Sequence, residues 1–141
     1  MLDLRTRIMV AGKDGREVAR VIDLFHSIGY TDSDTANSAA VAIQRLHNAD
    51  QFGAAATGLI YIDWVLDGPQ SGNDLVYLIR QDYKIKLMAI VLAVDINHVT
   101  QARNLAQETI IDGWVLKPPT QSSLAAALAP IELQMIPPFN V

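Results

Sequence analysis

Short unbroken apolar runs alternate with helical stripes along the whole chain, and this alternation restricts the available folds more than any other feature of the sequence. Ile8-Met9-Val10-Ala11, ending at Gly12, suits a strand buried on both faces of a parallel sheet, β1 over 8–11. Asp14 is an N-cap candidate with Glu17 three residues on, and Val18, Val21, Ile22, Phe25 and Ile28 then trace one helical face that stops at Gly29 (α1, 14–28). Thr31 to Asn37 is polar and weakly patterned; its place between two helical stretches predicts an edge strand, β2. Ser38 caps α2 (38–47), with Ala39, Ala42, Ile43 and Leu46 inward, and a loop of small residues runs from 48 to 57.

The second half repeats the pattern. Gly58 to Ile62 is β3, Asp67 to Gly72 is a turn-rich loop, and Leu75, Val76, Leu78 and Ile79 mark α3 over 75–79. Leu87 to Val94 is β4, α4 over 99–106 carries Val99, Ala102, Leu105 and Ala106, and Ile110 to Leu116 is β5. Thr120 caps a last helix, α5 (120–131), with Leu124, Ala127, Leu128 and Ile131 inward; the tail Pro137-Pro138-Phe139 cannot continue it. Strand and helix in strict alternation predict a doubly wound five-stranded parallel sheet with helices on both faces, a flavodoxin-like three-layer α/β/α sandwich.

At 141 residues the chain fits one domain, read as 5–130 with a tail at 131–141. Half of the residues are hydrophobic and the net charge is −4, so a substantial core is expected and disorder is not. Eleven Lys and Arg against fifteen Asp and Glu, with no basic cluster, lack the electrostatic footprint of a nucleic-acid binder. The absence of cysteine excludes disulfides, a thiolate nucleophile and Cys-based zinc, and fits a reducing compartment; the expected location is the cytoplasm. The longest apolar run, Leu87 to Val94, has eight residues, far short of the roughly 20 that span a bilayer, so no membrane association is expected. His26, His47 and His98 lie apart, without metal-ligand spacing, which points to surface or capping roles.

Asp63 closes the β3 run, and Lys117-Pro118 closes the β5 run 54 residues later. Open α/β sheets bind ligands in the crevice beyond the carboxyl ends of their strands, so this carboxylate and ammonium form a candidate site. Taken singly, Asp63 reads as a turn cap, and Lys117 as a surface lysine before the helix-start signal Pro118-Pro119. Their shared placement at strand ends favours the site.

With Ile8 to Ala11 as first strand, Asp63-Trp64 after the third, Ser71-Gly72 leading into the next helix and Lys117-Pro118 after the fifth, the sequence resembles the receiver domain of two-component response regulators. The likeness spans roughly residues 5 to 130. It implies that Asp63 accepts a phosphoryl group from a histidine kinase with Mg²⁺ bridging, that Lys117 contacts the phosphoryl oxygens, and that the domain signals without being an enzyme. An aspartate can act as covalent nucleophile while a metal and a lysine offset the charge developing on the transferred group.

Several positions depart from that pattern. Gly12-Lys13 stands where the family carries two adjacent acidic residues that help hold Mg²⁺, which removes attraction, adds repulsion and predicts weak or absent metal binding. Asp14, if the loop shifts by one residue, and Asp67, if its loop folds back, are the available substitutes beside Asp63. A second expectation is that the Lys13 ammonium occupies the metal's place and pairs with Asp63. The switch hydroxyl that should follow β4 is missing: the strand aligns Ala93 there, and gapless counting back from Lys117 lands on Asp95. Trp114 matches the aromatic that partners the switch, and Trp64 reads as packing.

The resulting expectation is an atypical receiver that acts through protein–protein contacts, with little or no Mg²⁺-dependent phosphorylation. The alternative is a working phospho-acceptor modified on Asp63 by a histidine kinase. Partners would be such a kinase or another signalling protein. A homodimer through the α4-β5-α5 face is also expected, where Ala102, Ala125 and Ala126 would permit close approach. No output domain fits after residue 130, so any effect passes through a partner or the chain is part of a longer protein. Two rival classes fit poorly. A haloacid-dehalogenase-like phosphotransferase needs a second aspartate two residues after the first, where Val65 stands. A nucleotide or flavin binder needs a glycine-rich phosphate loop, and Gly12-Lys13-Asp14-Gly15 is not one.

Overall fold

The computed structural model describes residues 4–48 and 57–134. Most of the predicted 48–57 loop and the tail at Pro137-Pro138-Phe139 lie outside them. The elements follow the expected alternation: β1 (Arg7–Ala11), α1 (Gly15–Ile28), β2 (Ser33–Ala36), α2 (Ala39–Asn48), β3 (Thr57–Asp63), α3 (Gly72–Arg80), β4 (Ala89–Val94), α4 (Val99–Gln107), β5 (Gly113–Leu116) and α5 (Gln121–Gln134). A single 3-10 turn, Ile96–His98, leads into α4. All pairings are parallel in the order β2-β1-β3-β4-β5, which puts the polar β2 at an edge as its composition requires. None of the described helices is long and apolar enough to cross a membrane.

Each central strand feeds both faces of the sheet, because successive side chains point to opposite sides. Met9, Ile60, Ile62, Ile90 and Leu92 pack against α2, α3 and α4 through residues such as Ala42, Val76 and Leu105. Ile8, Val10, Leu59, Tyr61 and Val91 pack against α1 and α5 through Phe25, Leu124 and Leu128. Unbroken apolar runs are thus what a sheet covered on both faces demands.

Two expectations change at the amino ends of β4 and β5, and a third on α3. Leu87 is 89% exposed and β4 starts only at Ala89, while β5 starts at Gly113 and not at Ile110. Arg80, at the end of α3, is the cause. Its guanidinium donates to the carbonyls of Lys86, Met88 and Ile110 at 2.7 Å each and pairs with Asp112 at 2.9 Å. Asp112 in turn accepts from the Ile90 amide. Backbone groups that would begin the two strands are spent on a side chain. Leu78, expected inward, is 37% exposed because the inner stripe of α3 runs through Leu75, Val76 and Ile79.

At the other flank α5 continues past Pro130, which sits on an exposed turn where the freed carbonyl can be solvated. Ile131 is buried, and Glu132 accepts a 2.7 Å hydrogen bond from the buried Tyr30 hydroxyl, so the last turn of α5 is fastened to the loop after α1.

Candidate functional site

Asp63 is the last residue of β3, paired in register with Ala93 of β4, and it is 7% exposed, the one buried charged residue among those described. Its Oδ1 accepts from the Val65 amide at 2.9 Å and from Lys117 Nζ at 3.1 Å, and Nζ lies 3.0 Å from Oδ2. Lys117 is held at the matching height because its amide donates to the Val94 carbonyl at 2.8 Å and extends the β4–β5 ladder by one residue. The Lys117-Pro118 peptide bond is cis. A lysine and an aspartate 54 residues apart therefore meet through strand register alone.

Behind Asp63, Gly72 allows the chain to close. A Cβ there would lie 2.3 Å from the Asp63 carbonyl oxygen and 2.9 Å from Trp64 Cα, and the Gly72 amide donates to Trp64 O at 2.8 Å. Ser71 caps α3 and Asp74 returns a bond to the Ser71 amide, which fixes where that helix begins.

A third charged group joins the pair. Glu17 Oε2 lies 3.5 Å from Lys117 Nζ, so one ammonium is shared between two carboxylates. The sequence offered Glu17 only as part of a capping pattern. The missed signal is that an N-cap at Asp14 places residue 17 on the first turn of α1, beside the strand ends. Burial pulls the Asp63 carboxyl upward, against the Val65 amide and Lys117, which pull it down. Burial acts on Lys117 too, yet its bonds and attraction to Asp63, with those to Glu17, outweigh it and lift the ammonium above the ordinary lysine range. The two directions describe an ion pair whose buried member is the more strained one.

The positions around the pair account for the other expected residues. Gly12 is buried, and a side chain there would start 3.5 Å from Asp63 Cβ and 3.0 Å from Val18 Cγ2, so position 12 does face the aspartate. Lys13 does not. Its side chain is exposed and forms no ion pair with Asp63; its backbone amide donates to Val65 O at 3.3 Å. The expected Lys13–Asp63 pairing is replaced by Lys117, which reaches Asp63 from the end of β5. Asp14 accepts from the Arg16 and Glu17 amides as N-cap of α1 and is not turned to Asp63. Asp67 binds the amide of Gly68 with its carboxylate, and its own amide donates to Asn37 O, tying the loop toward the chain after β2.

These donors do not fit Mg²⁺, which demands a near-octahedral set of oxygens and is held by carboxylates. Asp63 already receives an ammonium on both oxygens, Asp14 is committed to a helix cap, and Glu17 faces Lys117. Among the described residues no three His, Asp or Glu side chains are grouped as a metal site. Lys13, Asp14, Glu17, Asp63, Val65 and Lys117 instead line an open groove of about 400 Å³.

Past β4, Ala93 is fully buried and its carbonyl accepts from the Trp64 amide at 2.9 Å, directly across from Asp63. Asp95 caps the 3-10 turn and accepts from His98 Nδ1 at 2.9 Å, and the His98 ring stacks on Trp64 with centroids 4.3 Å apart. Partial burial lifts the Asp95 carboxyl, but the bonds from His98 and the Asn97 amide outweigh it and hold the group below the usual range. His98 therefore has both a carboxylate partner and a ring partner, as His47 has Asp82 at 2.5 Å, neither of which sequence spacing revealed. Trp114 is half-buried against the α4 side of the core.

No family model matches the chain, and no curated protein does. Solved structures do, in large number. A response regulator receiver domain protein from Clostridium thermocellum is 18% identical over 92% of this chain and 96% of its own, with a TM-score of 0.75. A response regulator receiver protein from Pseudomonas putida is 23% identical over 90% and 98%, with a TM-score of 0.71. A receiver domain protein from Methanospirillum hungatei is 15% identical over 92% and 93%, with a TM-score of 0.70. The order of the five strands, the helices on both faces and these overlays together show that the chain has the fold of response regulator receiver domains.

Proposed function

We propose that this protein is a receiver-like signalling domain that works through protein–protein contacts and is not driven by Mg²⁺-dependent phosphorylation. The observation that carries the reading is the Lys117 ammonium bound to both oxygens of Asp63, with Gly12 where a second carboxylate would have to stand. The nucleophile position is internally neutralised, and the cation that should meet an incoming phosphoryl group is already shared with Glu17. In this reading the domain is not an enzyme, and its partner is a histidine kinase or another signalling protein that recognises one fixed conformation. The α4-β5-α5 face remains the proposed contact surface, offering exposed Ala125, Ala126 and Leu116. Ala102 takes no part there, because it is fully buried beneath α4.

A second reading is favoured by the placement of Asp63 and Lys117 themselves, which is that of a phospho-acceptor and its lysine. An amide NMR titration with Mg²⁺, followed by beryllofluoride, separates the two. Phosphorylation-independent signalling predicts no saturable shift at Asp63, Lys117 or α4-β5-α5 amides from the folded protein. Shifts that saturate at millimolar Mg²⁺ and spread to that face with beryllofluoride would restore the phospho-acceptor.

A further inference from the structure

On the other side of the Glu17–Lys117 bridge from the open groove lies a separate cavity of about 310 Å³, between α1 and the loop leading into α5. Val21, Pro118 and Pro119 give it apolar walls, Arg20 stands on its exposed rim, and Tyr61 reaches it from β3. Its volume and mixed lining are those of a small-molecule site, where apolar walls hold the body of a ligand and a few polar groups orient it.

Two of the polar groups are uncommitted. Arg20 has no ion-pair partner among the described residues. Tyr61 is 2% exposed and its hydroxyl has no hydrogen bond to the described protein, although every fully enclosed side-chain nitrogen and oxygen there is bonded. The Tyr61 hydroxyl is therefore not sealed in by protein; it opens into the cavity. Burial, with Asp63 and Glu17 nearby, keeps it protonated as a donor. The remaining polar lining groups are Glu17 and Asp63, which are acceptors, and Lys117, whose ammonium is already shared between them.

The uncommitted groups are ordered: a free cation at the rim, apolar walls, then a hydroxyl donor at depth beside two carboxylates that already share the Lys117 ammonium. We infer that this cavity binds a small hydroxy acid with a flat apolar body. Its carboxylate pairs with Arg20, its body lies against Val21, Pro118 and Pro119, and its distal hydroxyl accepts from Tyr61 and donates to Glu17 or Asp63. A ligand there adjoins the group that holds Lys117, which connects the cavity to the Asp63 site without depending on metal or phosphate.

The test uses 4-hydroxyphenylacetate as probe, with phenylacetate lacking the hydroxyl and 4-hydroxybenzyl alcohol lacking the charge, in amide NMR titrations of the whole chain. The expected result is a saturable shift confined to Arg20, Val21, Tyr61 and Lys117. Each control should bind roughly 3–10-fold more weakly, the loss of one hydrogen bond or ion pair. Tyr61→Phe keeps the core shape and Arg20→Ala lies on the surface, and each should lower the probe's affinity by a similar factor while leaving the spectrum folded. No saturable shift up to about 10 mM probe, a range set by the weak affinity of so small a ligand, would overturn the inference. So would binding of both controls as tight as the probe's, or affinity unchanged in both variants.

Discussion

Removal of the Lys117 ammonium should expose how much of the fold is balanced on Asp63. At 3.0 Å the gross attraction between the two charges is about 5.5 kcal/mol for an effective dielectric of about 20. Desolvation cancels part of it, and the Lys117 side chain keeps 22% of its exposure, so Lys117→Met should cost about 2–4 kcal/mol at neutral pH. For a chain of this length that is a fall in Tm of roughly 10 °C. The cost has a pH signature. A carboxyl whose folded pKa lies above its unfolded value binds the proton more readily in the native state. Stability then falls as pH rises from the unfolded value of about 3.9 through the folded one, and levels off above it. Burial already raises Asp63 in the native protein, and losing Lys117 removes a group that lowers it, so the variant should have the wider window. Urea unfolding should therefore show the gap between native and Lys117→Met nearly closed at about pH 4 and complete at about pH 8. Asp63→Asn combined with Lys117→Met should recover most of the loss, with a coupling energy above about 1.5 kcal/mol. A gap independent of pH, or two losses that simply add, would refute the ion-pair account.

Further outcomes follow from other contacts. Gly72→Ala places a methyl group 2.3 Å from the Asp63 carbonyl oxygen and should destabilise by about 1–3 kcal/mol in the same urea assay, whereas Gly15→Ala, with open space around it, should be near neutral. Gly12→Asp with Lys13→Asp supplies one carboxylate facing Asp63 and replaces a cation on the lining of the same groove by a second, and should produce Mg²⁺ binding by calorimetry at millimolar concentration, provided Val18 yields a few tenths of an ångström; a folded variant with no binding heat would refute it. The bond from His47 holds the Asp82 carboxyl below its usual range, so its contribution is present above the unfolded value of about 3.9 and is lost as pH falls through the folded one; Asp82→Asn should flatten the acid limb of the stability profile and leave its alkaline limb unchanged.

The fold was legible because a two-sided parallel sheet writes itself as unbroken apolar runs, and because Asp14 and Gly29 mark the ends of α1 by local chemistry. Asp63 and Lys117 were legible for a related reason: each terminates such a run. What the sequence hid was long-range. Arg80 sets the starts of β4 and β5 from a helix between six and 30 residues away from the carbonyls it binds, and no local pattern predicts that a guanidinium will replace ladder bonds. Lys13 was the nearer cation along the chain, but Lys117 is the nearer one in space, since only strand register decides which ammonium reaches Asp63. Glu17 and Tyr61 face the site region from elements whose rotation about their axes apolar spacing fixes only loosely. Ala102 belongs to the apolar stripe of α4, and its burial there is what removes it from the α4-β5-α5 contact face on which it was also expected.

The fastening of Glu132 to Tyr30 has a mechanical meaning. The first turn of α5 follows directly from Lys117-Pro118-Pro119, and its last turn is held about 20 Å away, the length of fourteen helical residues. A rod joined to the site at one end and pinned at the other cannot slide; it can only swing about the pin. Any rearrangement that draws Lys117 away from Asp63 or Glu17 is thereby converted into a tilt of the whole α5 face, largest beside the site and vanishing at Tyr30. A partner seated across the early turns of α5 would sense the state of that one ammonium, and a partner seated on the last turn would not.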